Sequence, residues 1–126
     1  MTLGLLVPPT LEPYADDLQK ALALGGEAYT LQDIEDMIAT GKAQMWPGET
    51  SVIVTEIILY PRAKHLHLFL AGGNLDELES MLPEIIEWGK TQGCSRVSLS
   101  GRRGWERSFL REMGFQPTLV VMEKEI

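Results

Sequence analysis

Residues 85–115 read IIEWGKTQGCSRVSLSGRRGWERSFLREMGF, and this stretch decides the fold that the sequence predicts. An amphipathic helix ends at Gly93, because glycine readily adopts the left-handed backbone that closes a helix. A short strand follows over residues 94–100, where serine alternates with valine and leucine. Gly101 then opens a second helix that ends at Gly114-Phe115. This alternation of helix and strand indicates a domain of mixed α and β structure.

Upstream of this stretch the sequence predicts two helices followed by three strands joined as hairpins. Pro13 suits the first turn of the first helix. Thr30 and Asp33 have the spacing of a capping box at the start of the second helix, and Asn74 is well placed as an N-cap of the third. The predicted elements are helices over 13–24 and 30–41, strands over 43–46, 51–60 and 64–71, a helix over 74–92, and a final strand over 117–125.

The predicted fold class is α+β: a mixed, mostly antiparallel central sheet with helices on both faces, in one domain over residues 1–126. The strand from Lys64, the helix after it and the next strand form a β-α-β unit, so these two strands are expected to be parallel. Leu66, Leu68 and Leu70 alternate along the first of them and are expected on one face. The final strand would leave an open edge, which favours a homo-oligomer that pairs through this C-terminal edge strand.

This order of elements, with the closing Gly114-Phe115 pair, resembles the GNAT-type N-acetyltransferases. The resemblance covers residues 30–126 in element order, and its specific motif lies within Val97–Phe115. It implies transfer of an acetyl group to an amine, with acetyl-CoA as the cofactor and no other. Small chains with Gly-Arg-x-Gly-Trp before Gly-Phe, as residues 101–105 have here, also resemble GNAT-like proteins of bacteriophage genomes, some of them associated with virion parts.

In GNAT-type enzymes, a glycine-containing turn before a helix holds the pyrophosphate of acetyl-CoA with backbone N–H groups. The resemblance assigns this role to Gly72 and Gly73, although their spacing departs from the family's usual loop. The first helical turn after them contributes Asp76, Glu77 and Glu79. These carboxylates favour their own helix dipole, and we expect them to repel a pyrophosphate.

A second anion site is predicted at the start of the last helix, where family enzymes often contact the pantetheine arm of the cofactor. Arg102, Arg103 and Gly104 lie at this position. Two guanidinium groups beside the N–H groups of a helix start favour an anion. The alternative is that these arginines belong to a solvated charged face.

Two residues on the strands are candidates for the base that takes a proton from the amine. Glu56 shares its face with apolar residues, and burial there would raise its pKa. The alternative is a carboxylate paired with Arg62 or Lys64. His67 is the second candidate, acting directly or through water. The predicted catalytic residues are therefore Glu56 and His67.

The residues present do not favour two other chemistries, a metal site and a tyrosine acid. With Glu56, the alternating His65 and His67 have the residue types of a two-histidine, one-carboxylate metal site, but this spacing is a weak motif and no metal is predicted. Leu110 stands where many GNAT-type enzymes have a tyrosine acid, so the resemblance implies that this acid is absent.

Composition limits the class of partner. The chain has 126 residues, a net charge of −7 and one cysteine, and its first 60 residues hold nine acidic side chains against two lysines. This acidity argues against nucleic acid, whose affinity comes mainly from phosphate neutralisation. No run reaches the ~20 apolar residues of a membrane span, and Leu3–Val7 is too short for a signal peptide. A cytoplasmic protein is expected, with a protein partner or self-association and no membrane.

Three functions fit these observations. The first is an acyl-CoA-dependent N-acetyltransferase with a non-standard phosphate loop. The second is a non-catalytic GNAT-like protein that serves in assembly or protein binding, including a virion if the chain is phage-encoded. The third is a small-molecule binder that uses the arginine cluster. Fold alone does not decide between them.

Overall fold

The computed structural model describes residues 11–24, 28–101, 104–105 and 108–126. Two helices come first, as predicted: a short 3-10 turn over Glu12–Tyr14 leads into α1 (Ala15–Leu24), and α2 spans Leu31–Ala39. The Thr30 hydroxyl accepts from the Asp33 N–H at 3.1 Å, and the Asp33 carboxylate accepts from the Thr30 N–H at 2.8 Å. The predicted capping box is therefore confirmed.

Four strands form a mixed sheet in the order β1-β2-β3-β4. The first two pairs are antiparallel and the last is parallel. Helix α3 connects β3 to β4, and its N-cap Asn74 accepts from the Glu77 N–H at 3.1 Å. The predicted α+β class and its β-α-β unit are confirmed. The elements are β1 (Gln44–Pro47), β2 (Val52–Tyr60), β3 (Ala63–Gly72), α3 (Leu75–Thr91) and β4 (Arg96–Leu99).

Two hydrophobic clusters lie on opposite faces of this sheet. Helices α1 and α2 cover one face, where Leu18 and Ile34 are fully buried beside Val54. Helix α3 covers the other face, where Ile85 packs with Leu66. Across the described residues, none of the helices combines the length and the apolar character that crossing a bilayer requires.

A β-bulge divides β3 between the two faces. Val54 pairs with Leu70, whereas the next residue, Thr55, pairs with Leu68, so Phe69 is an extra residue in the ladder. Leu70 consequently packs into the α1–α2 cluster, while Leu68 packs into the α3 cluster. The prediction that the leucines of this strand share one face is wrong for Leu70, because an inserted residue reverses the alternation.

The last helix is shorter than predicted. Helix α4 spans Phe109–Glu112, and the hydroxyl of its N-cap Ser108 accepts from the Leu110 N–H at 3.2 Å. The expected start at Gly101 is wrong, because Ser108 has an extended backbone (φ −86°, ψ −170°) and caps the helix there. Gly114, with φ +96°, follows the helix end as predicted.

The predicted final strand over 117–125 is also wrong for the single chain. None of residues 115–126 belongs to a strand or a helix, and Leu119 and Met122 are 85% and 89% exposed. A run of β-forming side chains becomes a strand only where a neighbouring strand supplies hydrogen bonds and a surface to cover. No described part of the same chain supplies that neighbour.

Candidate active site

Glu56 on β2 and His67 on β3 lie directly opposite each other in the antiparallel ladder. Residues paired in this way point to the same face of a sheet, with their Cβ atoms about 4.5–5.5 Å apart. Both side chains are half-buried. The structure therefore places the two predicted bases side by side, and their catalytic role stays a prediction.

Ser98 on β4 completes this group. Its Oγ lies 3.3 Å from Nδ1 of His65 and 3.2 Å from Nδ1 of His67. No sequence motif marks Ser98, because it approaches the histidines only through the parallel register in which His67 pairs with Ser98. The ring of Tyr60 contacts His65 edge-to-face, with 4.8 Å between the ring centroids.

The surroundings shift the pKa values of both candidate bases. Burial raises the pKa of Glu56 above its ordinary 4.5. Burial, and then the charge of His65, lower the pKa of His67 below 6.5, while a hydrogen bond with the backbone of Ser98 acts in the opposite direction. A lowered pKa keeps the His67 imidazole neutral at neutral pH, which is the form that accepts a proton.

Glu56 is not held in the ion pair that the sequence offered as an alternative. The Lys64 ammonium group donates to the carbonyl of Gln92. Within the described ranges, the ion pair found joins Glu87 and Lys90 at 3.3 Å. Nor does the described part of the chain contain a group of three or more His, Cys, Asp or Glu side chains arranged to hold a metal ion.

The sheet opens beside this group. Strands β3 and β4 pair only from His65 with Arg96 to Leu68 with Leu99. Beyond the bulge, β3 continues to Gly72 with no strand beside it on the β4 side among the described residues. Backbone groups on this side of β3, between the bulge and the start of α3, therefore have no strand partner in the described part of the chain.

The two glycines before α3 are packed by the protein's own atoms. A Cβ on Gly72 would lie 2.8 Å from Cβ of Asp17, and a Cβ on Gly73 would lie 2.4 Å from Oγ of Ser51. Gly73 also has φ +121°, a conformation that other residues rarely adopt. Close packing therefore explains why both positions are glycine, and their predicted cofactor contact stays a prediction.

The start of α3 presents unpaired N–H groups. The Asn74 N–H donates to Ser51 Oγ at 2.9 Å, and the Glu77 N–H donates to the Asn74 side chain. The N–H groups of Leu75 and Asp76 have no acceptor within the described part of the chain. Both residues are exposed, so this end of the helix can hydrogen-bond an anion.

The Glu77 carboxylate binds a neighbouring turn. It accepts from the Glu49 N–H at 2.7 Å and from the Thr50 N–H at 3.0 Å, in the turn between β1 and β2. Hydrogen bonds from Ser51, Thr50 and Glu49 lower the pKa of Glu77 to about 2. The lowered pKa keeps the Glu77 carboxylate ionised, so the expected repulsion of a pyrophosphate by Asp76, Glu77 and Glu79 stays a prediction.

Solved acetyltransferases have a similar arrangement of helices and strands. An aminoglycoside N-acetyltransferase, AAC(6')-Iy in complex with CoA, superposes with a TM-score of 0.64 and 12% identity, over 92% of this chain and 88% of that chain. An acetyltransferase of Trypanosoma brucei superposes with a TM-score of 0.58 and 16% identity, over 89% and 94%. This chain has the GNAT fold.

The GNAT fold was predicted from element order, and that prediction is confirmed. The fold does not decide the activity, because a transcriptional regulator from Bacillus halodurans C-125 is equally similar. That regulator superposes with a TM-score of 0.67 and 12% identity, over 92% of this chain and 93% of that chain. The sequence matches no protein-family model and has no significant match among curated proteins. The relation to bacteriophage proteins stays a prediction.

The remaining residues that the resemblance singled out follow β4 in the chain. Leu110, at the position of the family's tyrosine, is 5% exposed and belongs to the α3 cluster. Gly104 is exposed, and a Cβ there would meet no atom of the described residues within 4 Å. Arg102 and Arg103 lie outside the described residues, so their anion site stays a prediction.

Proposed function

We propose that this protein is an acyl-CoA-dependent N-acetyltransferase in which Glu56 and His67 provide the base. The observation that carries the proposal is the direct pairing of Glu56 with His67, two residues before the extra residue Phe69 of the bulge. Bulges are frequent next to active sites, where they re-aim side chains. The GNAT fold adds support by analogy with the acetyltransferases that share it.

The chemistry assigned to His67 follows from its hydrogen bonds. Its Nδ1 lies against Ser98, so Nε2 is the nitrogen left to take a proton from the amine as the new N–C bond forms. Glu56, on the same face, stabilises the resulting imidazolium. Bound acetyl-CoA supplies the activated acetyl group as a thioester. The imidazolium then returns its proton to the leaving sulfur, since Leu110 provides no acid.

The cofactor would be held by backbone groups more than by side chains. The N–H groups of Leu75 and Asp76 suit one phosphate group of acetyl-CoA. The opening between β3 and β4 offers unpaired backbone groups that suit the amides of the pantetheine arm. Arg102 and Arg103 are proposed for a second phosphate on the basis of their sequence position.

Calorimetric titration with acetyl-CoA and with CoA tests the binding step. A Kd in the micromolar range, about −8 kcal/mol, is expected for both ligands. Absence of heat and of a thermal shift at millimolar ligand would contradict the enzyme function.

Release of the CoA thiol in the presence of a panel of primary amines tests the chemistry. His67→Gln and Glu56→Gln should each lower kcat by about 10²–10⁴-fold, the usual contribution of a positioned acid or base. Glu84→Gln, which changes an exposed carboxylate of α3, is the matched control and should turn over normally. Equal activity in all three variants would exclude this pair as the base.

The C-terminal segment favours a second, non-catalytic function in assembly. Leu119, Val120, Val121 and Met122 are consecutive and 74–89% exposed. Such an exposed apolar run on a soluble chain marks an interaction site. As the last strand of the described sheet, β4 also presents an edge with unpaired backbone groups.

We propose that residues 117–125 of one copy pair with the β4 edge of a second copy. The apolar run has apolar side chains on both faces, as a strand covered on both sides requires. Glu123 and Glu125 follow the run, and Arg96 is exposed at the start of β4, so the two segments carry complementary charge. A role in a virion stays a prediction from the sequence resemblance.

Light scattering across a concentration series tests this pairing. The full chain should form a dimer, and Val121→Glu should shift it to a monomer, because the new carboxylate would be buried without a partner. Leu59→Glu is the matched control: Leu59 is 74% exposed at the end of β2 and should leave the dimer intact. A monomeric wild-type protein at the highest concentration would exclude the proposed pairing.

A further inference from the structure

One hydroxyl group serves two histidine rings in this structure. Ser98 Oγ lies within 3.3 Å of Nδ1 of His65 and 3.2 Å of Nδ1 of His67. A serine hydroxyl has one proton to donate, together with lone pairs that accept. A neutral imidazole has one nitrogen that donates and one that accepts. If the two rings play opposite roles, both contacts are hydrogen bonds and the Ser98 proton also has an acceptor; two Nδ1–H groups could both donate to Oγ, but they would leave that proton without an acceptor in the pair.

The opposite roles fix the tautomers. The ring that accepts the Ser98 proton has an unprotonated Nδ1 and carries its proton on Nε2. The other ring donates from a protonated Nδ1 to Ser98 Oγ and has an unprotonated Nε2. If both rings carried the proton on Nε2, Ser98 would satisfy only one of them. If both carried it on Nδ1, the Ser98 proton would have no acceptor in the pair.

We infer that Ser98 is a positioning residue that holds His65 and His67 in complementary tautomers and lets the pair take up one proton as a unit. This inference rests on the proposed role of His67 as base and deepens it. It assigns the protonated Nδ1 to His67, so that Nε2 of His67 stays open to an amine.

The proton transfer balances within the three residues. When Nε2 of His67 gains a proton from the amine, the Nδ1 proton of His67 moves to Ser98 Oγ. The hydroxyl proton of Ser98 moves at the same time to Nδ1 of His65. His67 and Ser98 are then neutral, and His65 carries the charge. Reversal of the transfers through Ser98 returns a proton to Nδ1 of His67, and Nε2 of His67 can then release its proton.

The groups around the pair suit a mobile positive charge. Glu56 faces His67 from β2, and Tyr60 contacts the ring of His65. Arg96 pairs with His65 in the parallel ladder but is exposed, so solvent screens its charge. Glu56 therefore favours a positive charge on His67, and the transfer through Ser98 lets His65 share that charge.

Ring ¹⁵N NMR of the wild-type protein tests the inference without any assay of activity. Above the titration range, His67 should show a protonated Nδ1 and His65 a protonated Nε2. In Ser98→Ala this complementary pattern should be lost, because the hydroxyl group that the two rings share is removed.

Two further variants make the result decisive. Ser98→Thr keeps the hydroxyl on a strand that tolerates β-branched residues and should restore the pattern. Ser100→Ala, on the exposed residue that follows β4, should leave it unchanged. The same tautomer in both rings of the wild type, or an unchanged pattern in Ser98→Ala, would overturn the inference.

Activity separates this inference from the proposed function. If acetyl transfer occurs, Ser98→Ala should lower kcat with little change in KM, and Ser98→Thr should restore kcat. Complementary tautomers in a protein without acetyl transfer would support the coupling and refute the enzyme. Transfer that depends on His67 but not on Ser98 would support the enzyme and refute the coupling.

Discussion

The carboxylate of Glu77, in the first turn of α3, lies 3.0 Å from the N–H of Thr50, 27 residues earlier in the chain. It also accepts from the Glu49 N–H, so one side chain anchors the turn between β1 and β2 to the helix. A Cβ on Gly48 would lie 2.7 Å from the Glu77 carboxyl carbon. The glycine in this turn is therefore needed for the carboxylate to approach.

Glu77 should make stability depend on pH in the acid range. Its pKa is lowered from 4.5 to about 2 on folding, so the unfolded chain binds more protons between these values. Its contribution is present above pH 4.5 and is lost as the pH falls toward 2. Urea unfolding from pH 6 to pH 2 should show this loss in the wild type and a weaker one in Glu77→Gln.

Glu79→Gln is the matched control for that experiment, because it removes an exposed carboxylate from the same end of α3. Its acid dependence should equal that of the wild type. Identical curves for Glu77→Gln and Glu79→Gln would show that the turn does not depend on the Glu77 carboxylate.

Gly73 and Gly104 are both predicted to contact the cofactor, but substitution of each should affect the stability of the protein differently. Gly73→Ala places a Cβ against Ser51 at a positive φ, which should cost about 1–3 kcal/mol of strain. Gly104→Ala meets no atom of the described residues within 4 Å and should change the unfolding free energy little. Chemical denaturation measures both, and a fully stable Gly73→Ala protein would mean that the loop before α3 is placed differently.

Leu110 should be a core residue and not a vacant catalytic position. Leu110→Ala should destabilise the protein by about 2–5 kcal/mol, as removal of a buried leucine does. Leu110→Tyr should overpack the cluster, cost about 1–3 kcal/mol and give no gain in turnover. Arg111→Ala, on the exposed neighbour in α4, should stay within about 0.5 kcal/mol of the wild type. A more active Leu110→Tyr protein would refute this assignment.

His67 should oppose folding in mildly acidic solution. Its pKa in the folded state lies below the ordinary 6.5, so the unfolded chain binds more protons just below that pH. Stability should therefore fall as the pH decreases through 6.5. His67→Gln, which cannot titrate, should flatten this part of the curve. An unchanged slope in the variant would show that another group titrates there.

Local signals in the sequence predicted most of the fold. The Thr30–Asp33 capping box, the Asn74 N-cap and the parallel β-α-β unit depend on residues close in sequence or on the length of a connection, and the structure confirms each. The prediction of a final strand over 117–125 was wrong because its side chains indicate only a preference for β structure, whereas a strand also needs a neighbouring strand to pair with. The predicted start of α4 at Gly101 was wrong because Ser108 caps the helix, and the spacing of the glycines did not indicate this position.

The candidate site was predictable only in part. Residue type and apolar neighbours were enough to predict Glu56 and His67 as candidate bases. Their direct pairing depends on the register of β2 and β3, and the contact with Ser98 depends on the parallel register with β4. No short-range pattern encodes either register, nor the reach of Glu77 to a distant turn.

Because Phe69 is an inserted residue in β3, the side chains before and after it alternate between the two faces of the sheet in opposite phase. Before it, the odd-numbered His65 and His67 share the α1–α2 side of the sheet; after it, the even-numbered Leu70 and Gly72 do. Deletion of Phe69 would turn either His65 and His67 toward α3 or Leu70 out of the α1–α2 cluster. An insertion or deletion at Phe69 would therefore change which side of the sheet one part of β3 faces.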